Sequence, residues 1–204
     1  MYTPGHFTGD SADALALMRA YPFATLITSA ADGTHVTHLP LLVDESPALT
    51  LRAHMARANP HWRAFAQGAT LAVFHGPHAY ISPSWYVQPD REVPTWNYAA
   101  VHAHGTPALI EDRGDKLALI DASVATFEAG NTPPWTRKVE GERLEMMLGA
   151  IVAFEMKVGH LEAKFKMNQN RTADDRAKVI AQLRAAAHPD LQAMAAWMQA
   201  HEGS

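Results

Sequence analysis

The chain is 204 residues long, 48% apolar and 19% charged, with a formal net charge of −4 and no cysteine. That length suits one domain with a sizeable core, the missing cysteines exclude disulfides, thiolate metal sites and cysteine nucleophiles, and mild acidity without a basic run argues against a broad nucleic-acid surface. No apolar run approaches the roughly 20 residues of a membrane-spanning helix, and MYTPGHFTGD lacks the basic start and apolar stretch of a secretion signal, so a cytoplasmic protein is expected.

Residues 10–21 read as a first helix, capped by Asp10 or Ser11, carrying Ala14, Leu15 and Met18 at helical spacing and stopped by Pro22. Residues 23–28 and 34–39 flank the turn Ala31-Asp32-Gly33 as a hairpin, 41–43 continue beyond Pro40, and 49–54 form a third strand. Asn59-Pro60 opens a short helix over 61–67, with the Asn side chain as N-cap and Pro at the first helical position. Residues 70–75 read as a strand broken at Gly76-Pro77, followed by a short extended piece, 78–82, and a proline-rich loop, 84–95, long enough to be a lid or a partner contact. Residues 96–104 and 107–110 resume the sheet around Gly105. A helix is expected over 115–129, a short one over 142–148, a long strand over 150–157 with a bent continuation at 161–165, and two final helices started by Thr172 and by His188-Pro189. Strands with scattered helices and no strict βαβ alternation predict a mainly β, α+β fold built on a small antiparallel barrel. It is expected to be one domain, 1–204, with 172–204 as a C-terminal helical segment, and neither dinucleotide nor P-loop glycines are present.

Chemistry concentrates between Phe74 and Gly105, where Tyr80, Trp85, Tyr86, Trp96 and Tyr98 alternate with His75, His78, His102 and His104 and with four prolines. Broad rings among donors and acceptors suit a planar, partly polar ligand. The histidines lack a carboxylate at matching spacing, so no metal is expected. Ser82 and Ser84 lie near His78 without a nucleophile elbow or an orienting acid. Arg52, His54 and Arg57 precede the Asn59 helix start, which makes that turn the best anion seat in the sequence. A flavin mononucleotide uses both features, its phosphate at the turn and its ring system on the Trp and Tyr faces. Haem, ligated by one of the histidines, is the rival.

Taken together, MYTPGHF, His38-Leu-Pro40, RAHMARANPHW, GPHAYISPSWY, VPTWNYAAVHAHG and KMNQNR, in this order and running to about Arg184, resemble the PaiB family of FMN-binding negative transcriptional regulators. The resemblance implies an FMN-binding split β-barrel of the pyridoxamine 5'-phosphate oxidase-like class, antiparallel and of Greek-key type with C-terminal helices, a homodimer with FMN at the subunit interface, and repression of sporulation and protease genes. The cofactor-binding residues it implies are His54, Arg57 and Asn59 at the strand-to-helix turn with Arg52 beside them, His38 and Pro40 along the ring edge, Tyr80, Trp85, Trp96 and Asn97 in the aromatic blocks, and Gln169 and Arg171 in the KMNQNR block, where Met167-Asn168 replaces the commoner Leu-Ser. Regulation is expected to be indirect, since the Thr172 helix mixes Arg176, Lys178 and Arg184 with Asp174 and Asp175 and forms no basic recognition helix. A flavin-dependent oxidoreductase reduced by a nicotinamide cofactor is the simplest enzymatic reading. The alternatives are a haem-binding or haem-degrading split barrel and a non-catalytic interaction protein.

Overall fold

Alternating apolar residues and a glycine turn open the sheet. Strands β1 (Phe23–Ala30) and β2 (Gly33–Pro40) pair antiparallel from Phe23 opposite Pro40 to Ala30 opposite Gly33. Gly33 sits at φ 135°, where a side chain would be strained. The computed structural model describes residues 1–201. Its other strands are β3 (Leu42–Asp44), β4 (Thr50–Ala56), β5 (Thr70–Ile81), β6 (Thr95–Ile110) and β7 (Ile151–Lys166), and its helices are α1 (Ser11–Ala20), α2 (Arg113–Glu128), α3 (Gly141–Gly149), α4 (Ala173–Ala185) and α5 (Pro189–Ala200). The seven strands form one sheet in the order β2-β1-β5-β6-β7-β4-β3. Among the described residues no helix is long and apolar enough to cross a membrane.

The chain divides into two compact units, one holding Met1–Tyr21, Phe74–His102 and the residues from Glu162 onward, the other Pro22–Val73 and Ala103–Leu161. In the second unit, β2 and β3 end opposite edges of the strand order, yet only Leu41 separates them. Consecutive Cα atoms lie about 3.8 Å apart, so the sheet must curl until its edges meet at that corner. Leu41 is 1% exposed and its amide donates to the Pro22 carbonyl at 2.9 Å. Along β4 the buried residues are Leu51, Ala53 and Met55, which leaves Arg52 and His54 on the opposite face. Leu119 of α2 packs on that opposite side with Leu42 and Ala153, whose registers place them beside Arg52 and His54.

In the first unit α1 starts at Asp10, whose carboxylate accepts from the Asp13 amide at 2.8 Å, and buries Ala14, Leu17 and Met18 completely. α4 buries Val179, Ile180 and Leu183, and α5 buries Met194, Ala195 and Met198. Trp197 and His201 stack on Phe165 at centroid distances of 5.8 and 5.3 Å.

The structure departs from the sequence expectations where glycine and proline suggested strand ends. β5 runs unbroken through Gly76-Pro77, where the exposed positions slip by one residue, from His75 to His78 and Tyr80. A Cβ on Gly76 would lie 2.7 Å from the Leu17 side chain, so the glycine admits α1 and does not end the strand. β6 runs through Gly105 for the same kind of reason, since a Cβ there would lie 2.3 Å from the Lys157 carbonyl oxygen. β7 is likewise one strand through Gly159. The expected helix over 61–67 is a five-residue 3-10 turn, Pro60–Ala64, and the loop after β5 contains two more, Pro83–Trp85 and Pro89–Arg91.

Candidate functional site

The expected site residues fall six and six into the two units, and each half has its own local logic. In the second unit Asn59 does cap the turn that follows it. Its side-chain oxygen accepts from the His61 amide at 3.1 Å and its amide nitrogen donates to Thr37 Oγ1 at 3.0 Å. The turn is too short for a helix dipole to build, Pro60 has no N–H, and the His61 N–H is already taken, so the helix-start argument for an anion seat loses its donors. Arg57 is exposed and anchored, with its amide on the Ala150 carbonyl at 2.8 Å, Nε on the Gly149 carbonyl at 2.6 Å and Nη2 on the Ile151 carbonyl at 3.0 Å. Nη1 is the nitrogen left to receive an anion. Arg52 pairs through Nε with Asp44. His38 and Pro40 are exposed on β2, and His38 Nδ1 shares a 3.1 Å hydrogen bond with Thr25 Oγ1.

His54 stands apart from these. It lines a cleft of about 240 Å³ beneath α2 and α3, among Ile120, Val124, Trp135, Leu144 and Leu148, and burial pushes its imidazole below the usual histidine range. An anion there would have to shed its water against hydrocarbon.

The sequence reading missed a buried polar chain in the same unit. His61, 1% exposed, has Nδ1 2.8 Å from Thr37 Oγ1 and Nε2 2.8 Å from Thr28 Oγ1, and Thr28 in turn meets Thr70 Oγ1 at 2.7 Å. Desolvation, with a smaller contribution from His35 stacked 5.7 Å away, lowers the His61 pKa to about 4. A neutral imidazole donates through one nitrogen and accepts through the other, which is what two hydroxyl partners require. No short motif announces this arrangement, because its partners lie 24 and 33 residues away.

In the first unit Tyr80 and Trp96 stand on neighbouring strands, 47% and 53% exposed, with their rings edge to face at 6.0 Å and His78 6.2 Å from Trp96. Lys164, 9% exposed, lies 5.3 Å from the Tyr98 ring centroid and 5.8 Å from that of Tyr2, and donates to the Tyr2 carbonyl at 3.0 Å. Trp85 is half-buried in its 3-10 turn. Asn97 faces the other way from Trp96. It is fully buried, gives Nδ2 to Met198 Sδ at 3.4 Å and leaves Oδ1 without a partner among the described residues. Gln169 is spent on its own turn, accepting from the Met167 amide at 2.7 Å and donating to the Phe165 carbonyl, while Asn168, at φ 61°, donates to the Tyr86 hydroxyl at 3.1 Å. Arg171 pairs with Glu92 and lies 5.0 Å over the Tyr86 ring. The KMNQNR block therefore builds a joint, with its polar groups turned on the protein itself.

A domain model described as "Putative FMN-binding domain" matches residues 1–160. The Protease synthase and sporulation protein PAI 2 of Bacillus subtilis (strain 168) is 36% identical over 205 residues, covering 98% of this chain and 97% of that protein. Among solved structures, the flavocytochrome Anf3 from Azotobacter vinelandii matches with a TM-score of 0.63 at 15% identity, over 82% of this chain and 73% of that one. The FAD and heme binding protein from Mycobacterium smegmatis matches with a TM-score of 0.61 at 16% identity, over 82% and 77%. At those identities the structural likenesses carry the fold, which is the antiparallel split β-barrel with peripheral helices expected from the sequence.

Proposed function

The chain belongs to the PaiB family of FMN-binding proteins, and from that premise we propose that it works as a homodimer holding FMN at the seam between two copies, a redox or sensor protein whose effect on transcription is indirect. The observation that carries this reading is the exposed pair Tyr80 and Trp96: two large rings left about half in water on adjacent strands, at 47% and 53% exposure, are a surface that a planar heterocycle or a second chain covers.

The groups present fit the cofactor in kind. Arg57 has one terminal guanidinium nitrogen uncommitted and exposed, suited to a phosphate oxygen. Tyr80, Trp96 and the half-buried Trp85 offer ring faces, and the exposed His38 and Pro40 offer an edge. Arg52, Asn59, Gln169 and Arg171 act in this reading by fixing the backbone around those groups, and Asn97 by the packing behind Trp96. His54, committed to an apolar cleft, is left out of the phosphate seat. Bound FMN supplies hydride and one-electron chemistry, while the protein orients the ring and excludes water from it. We take a nicotinamide cofactor as the electron donor. The name of the Bacillus subtilis relative supports a regulatory role, and the net charge of −4 supports one exerted without direct DNA contact.

The purified protein tests this directly. A flavin absorption band, or stoichiometric uptake of added FMN that Trp96→Ala weakens about tenfold or more, is the expected result. A Soret band, or a colourless protein that takes up no FMN, would overturn it.

A further inference from the structure

We propose that the cleft between α2, α3 and β4 is a second binding site, made for an uncharged molecule of one or two fused aromatic rings that carries a single hydrogen-bonding group. All of its walls belong to the barrel unit, and the inference stands independently of the flavin reading.

Size comes first. The cleft measures about 240 Å³. An engineered apolar cavity of about 150 Å³ takes benzene, so this one has room for a second fused ring and not for a whole flavin nucleotide. Its walls are hydrocarbon: Ile120 and Val124 from α2, Leu144 and Leu148 from α3, and Trp135 and Met147 at the mouth, where they are 52% and 49% exposed. Two large apolar side chains held open to water beside a cleft that neither fills make the entrance.

Charge decides the rest. Among the described residues Arg137 is the one cation in the lining, and its charge is already paired: Nε and Nη2 donate to Asp121 at 2.7 and 3.2 Å, and Nη1 donates to the Val139 carbonyl at 2.8 Å. An anionic ligand would therefore enter without a counter-charge. The His54 imidazole makes no side-chain hydrogen bond among the described residues, and desolvation favours its neutral form, which offers one N–H donor and one acceptor nitrogen. Ser123 Oγ donates to the Leu119 carbonyl at 2.8 Å and keeps its lone pairs to accept. A hydroxyl on the ligand meets both needs, accepting from the His54 N–H while donating to Ser123 Oγ, and an apolar ring system meets the walls. A dianionic phosphate meets neither, which separates this cleft from the seat proposed for FMN.

The experiment is calorimetric titration of the full chain, with and without added FMN, with 2-naphthol, and with 2-naphthoate as the same ring system made anionic. Expected are saturable binding of 2-naphthol at one per chain and affinity for 2-naphthoate about tenfold or more weaker. Val124→Phe, which fills the cleft from a half-buried position, is expected to weaken 2-naphthol about tenfold, and His54→Leu about fivefold. Met147→Trp, at the exposed rim, serves where Val124→Phe does not fold. Non-saturable binding, equal binding of the anion, affinity unmoved by both cleft-filling variants, or release of flavin by 2-naphthol would each overturn the proposal.

Discussion

His61 shows what a single buried side chain can do to the pH response of the whole fold. In the native protein its pKa is lowered to about 4 by burial, while in the unfolded chain it returns to about 6.5. Because the unfolded state takes the proton first, the stabilising contribution is fully present above about 6.5 and is lost as pH falls through about 4. Urea denaturation midpoints are therefore expected to drop between those values, by a free energy on the order of 2 kcal/mol, and His61→Gln should flatten the slope in that window. A wild-type curve with no slope there would refute it. Asn97 makes a second case at this scale. Among the described residues its oxygen is buried without a partner and its amide nitrogen has only a thioether, Met198 Sδ, to donate to. Asn97→Leu is expected to leave thermal stability unchanged or to raise it by about 1 kcal/mol, and a loss of more than that would mean the amide has a polar partner, a cofactor included. The two residues also mark how far side-chain roles can be read from sequence. Asn59 was legible as a cap because the amide it serves belongs to His61, two positions on, whereas the hydroxyls that fix His61 arrive from β1 and β2.

At the scale of elements, local signals located the pieces and misjudged their continuity. Helix starts at Asp10, Thr172 and His188 and the Gly33 hairpin were readable because cap and capped amide lie within three residues. The break expected at Gly76-Pro77 was not one, since the glycine there answers a neighbour distant in sequence, Leu17, much as Gly105 answers Lys157. Gly105→Ala follows from that geometry. The added methyl would lie 2.3 Å from a backbone oxygen that cannot turn aside, and β6 and β7 must part, with an expected loss of roughly 2 kcal/mol or more in chemical denaturation. The loop after β5 is tied down by Asp175, which accepts from the Val87 amide at 2.8 Å and from Thr172 Oγ1 at 2.8 Å. Those bonds, the Val87 amide first, hold its carboxyl below the usual range. Asp175→Ala removes the acceptor that orients the capping Thr172 hydroxyl and releases the loop together. It should cost about 1–3 kcal/mol and open residues 82–94 to protease, and a loop still resistant to cleavage would show that its prolines alone hold it.

On the scale of the whole molecule, the barrel could be anticipated from the strand pattern, although its closure could not, because closure depends on which strands take the edges: β2 and β3, joined through Leu41 alone. The site was less legible still. Rings and cations were found by type, but the work already assigned to them, Arg52 to Asp44 across paired strands and Arg171 to Glu92 far along the chain, is set by the fold. What the proposed seat requires is a second copy, and that makes a prediction about mass action. If each flavin is held by groups from two chains, FMN binds the dimer and not the monomer, so ligand and subunit association are linked and each strengthens the other. Serial dilution of the holoprotein should then release FMN at the concentration where sedimentation shows monomers appearing, and added FMN should move that concentration lower. Arg57→Ala should weaken FMN more than riboflavin, because only FMN carries the charge that the free guanidinium nitrogen receives. Flavin affinity independent of protein concentration across the dissociation range would place the whole site within one chain, and equal losses for the two flavins would remove Arg57 from the phosphate.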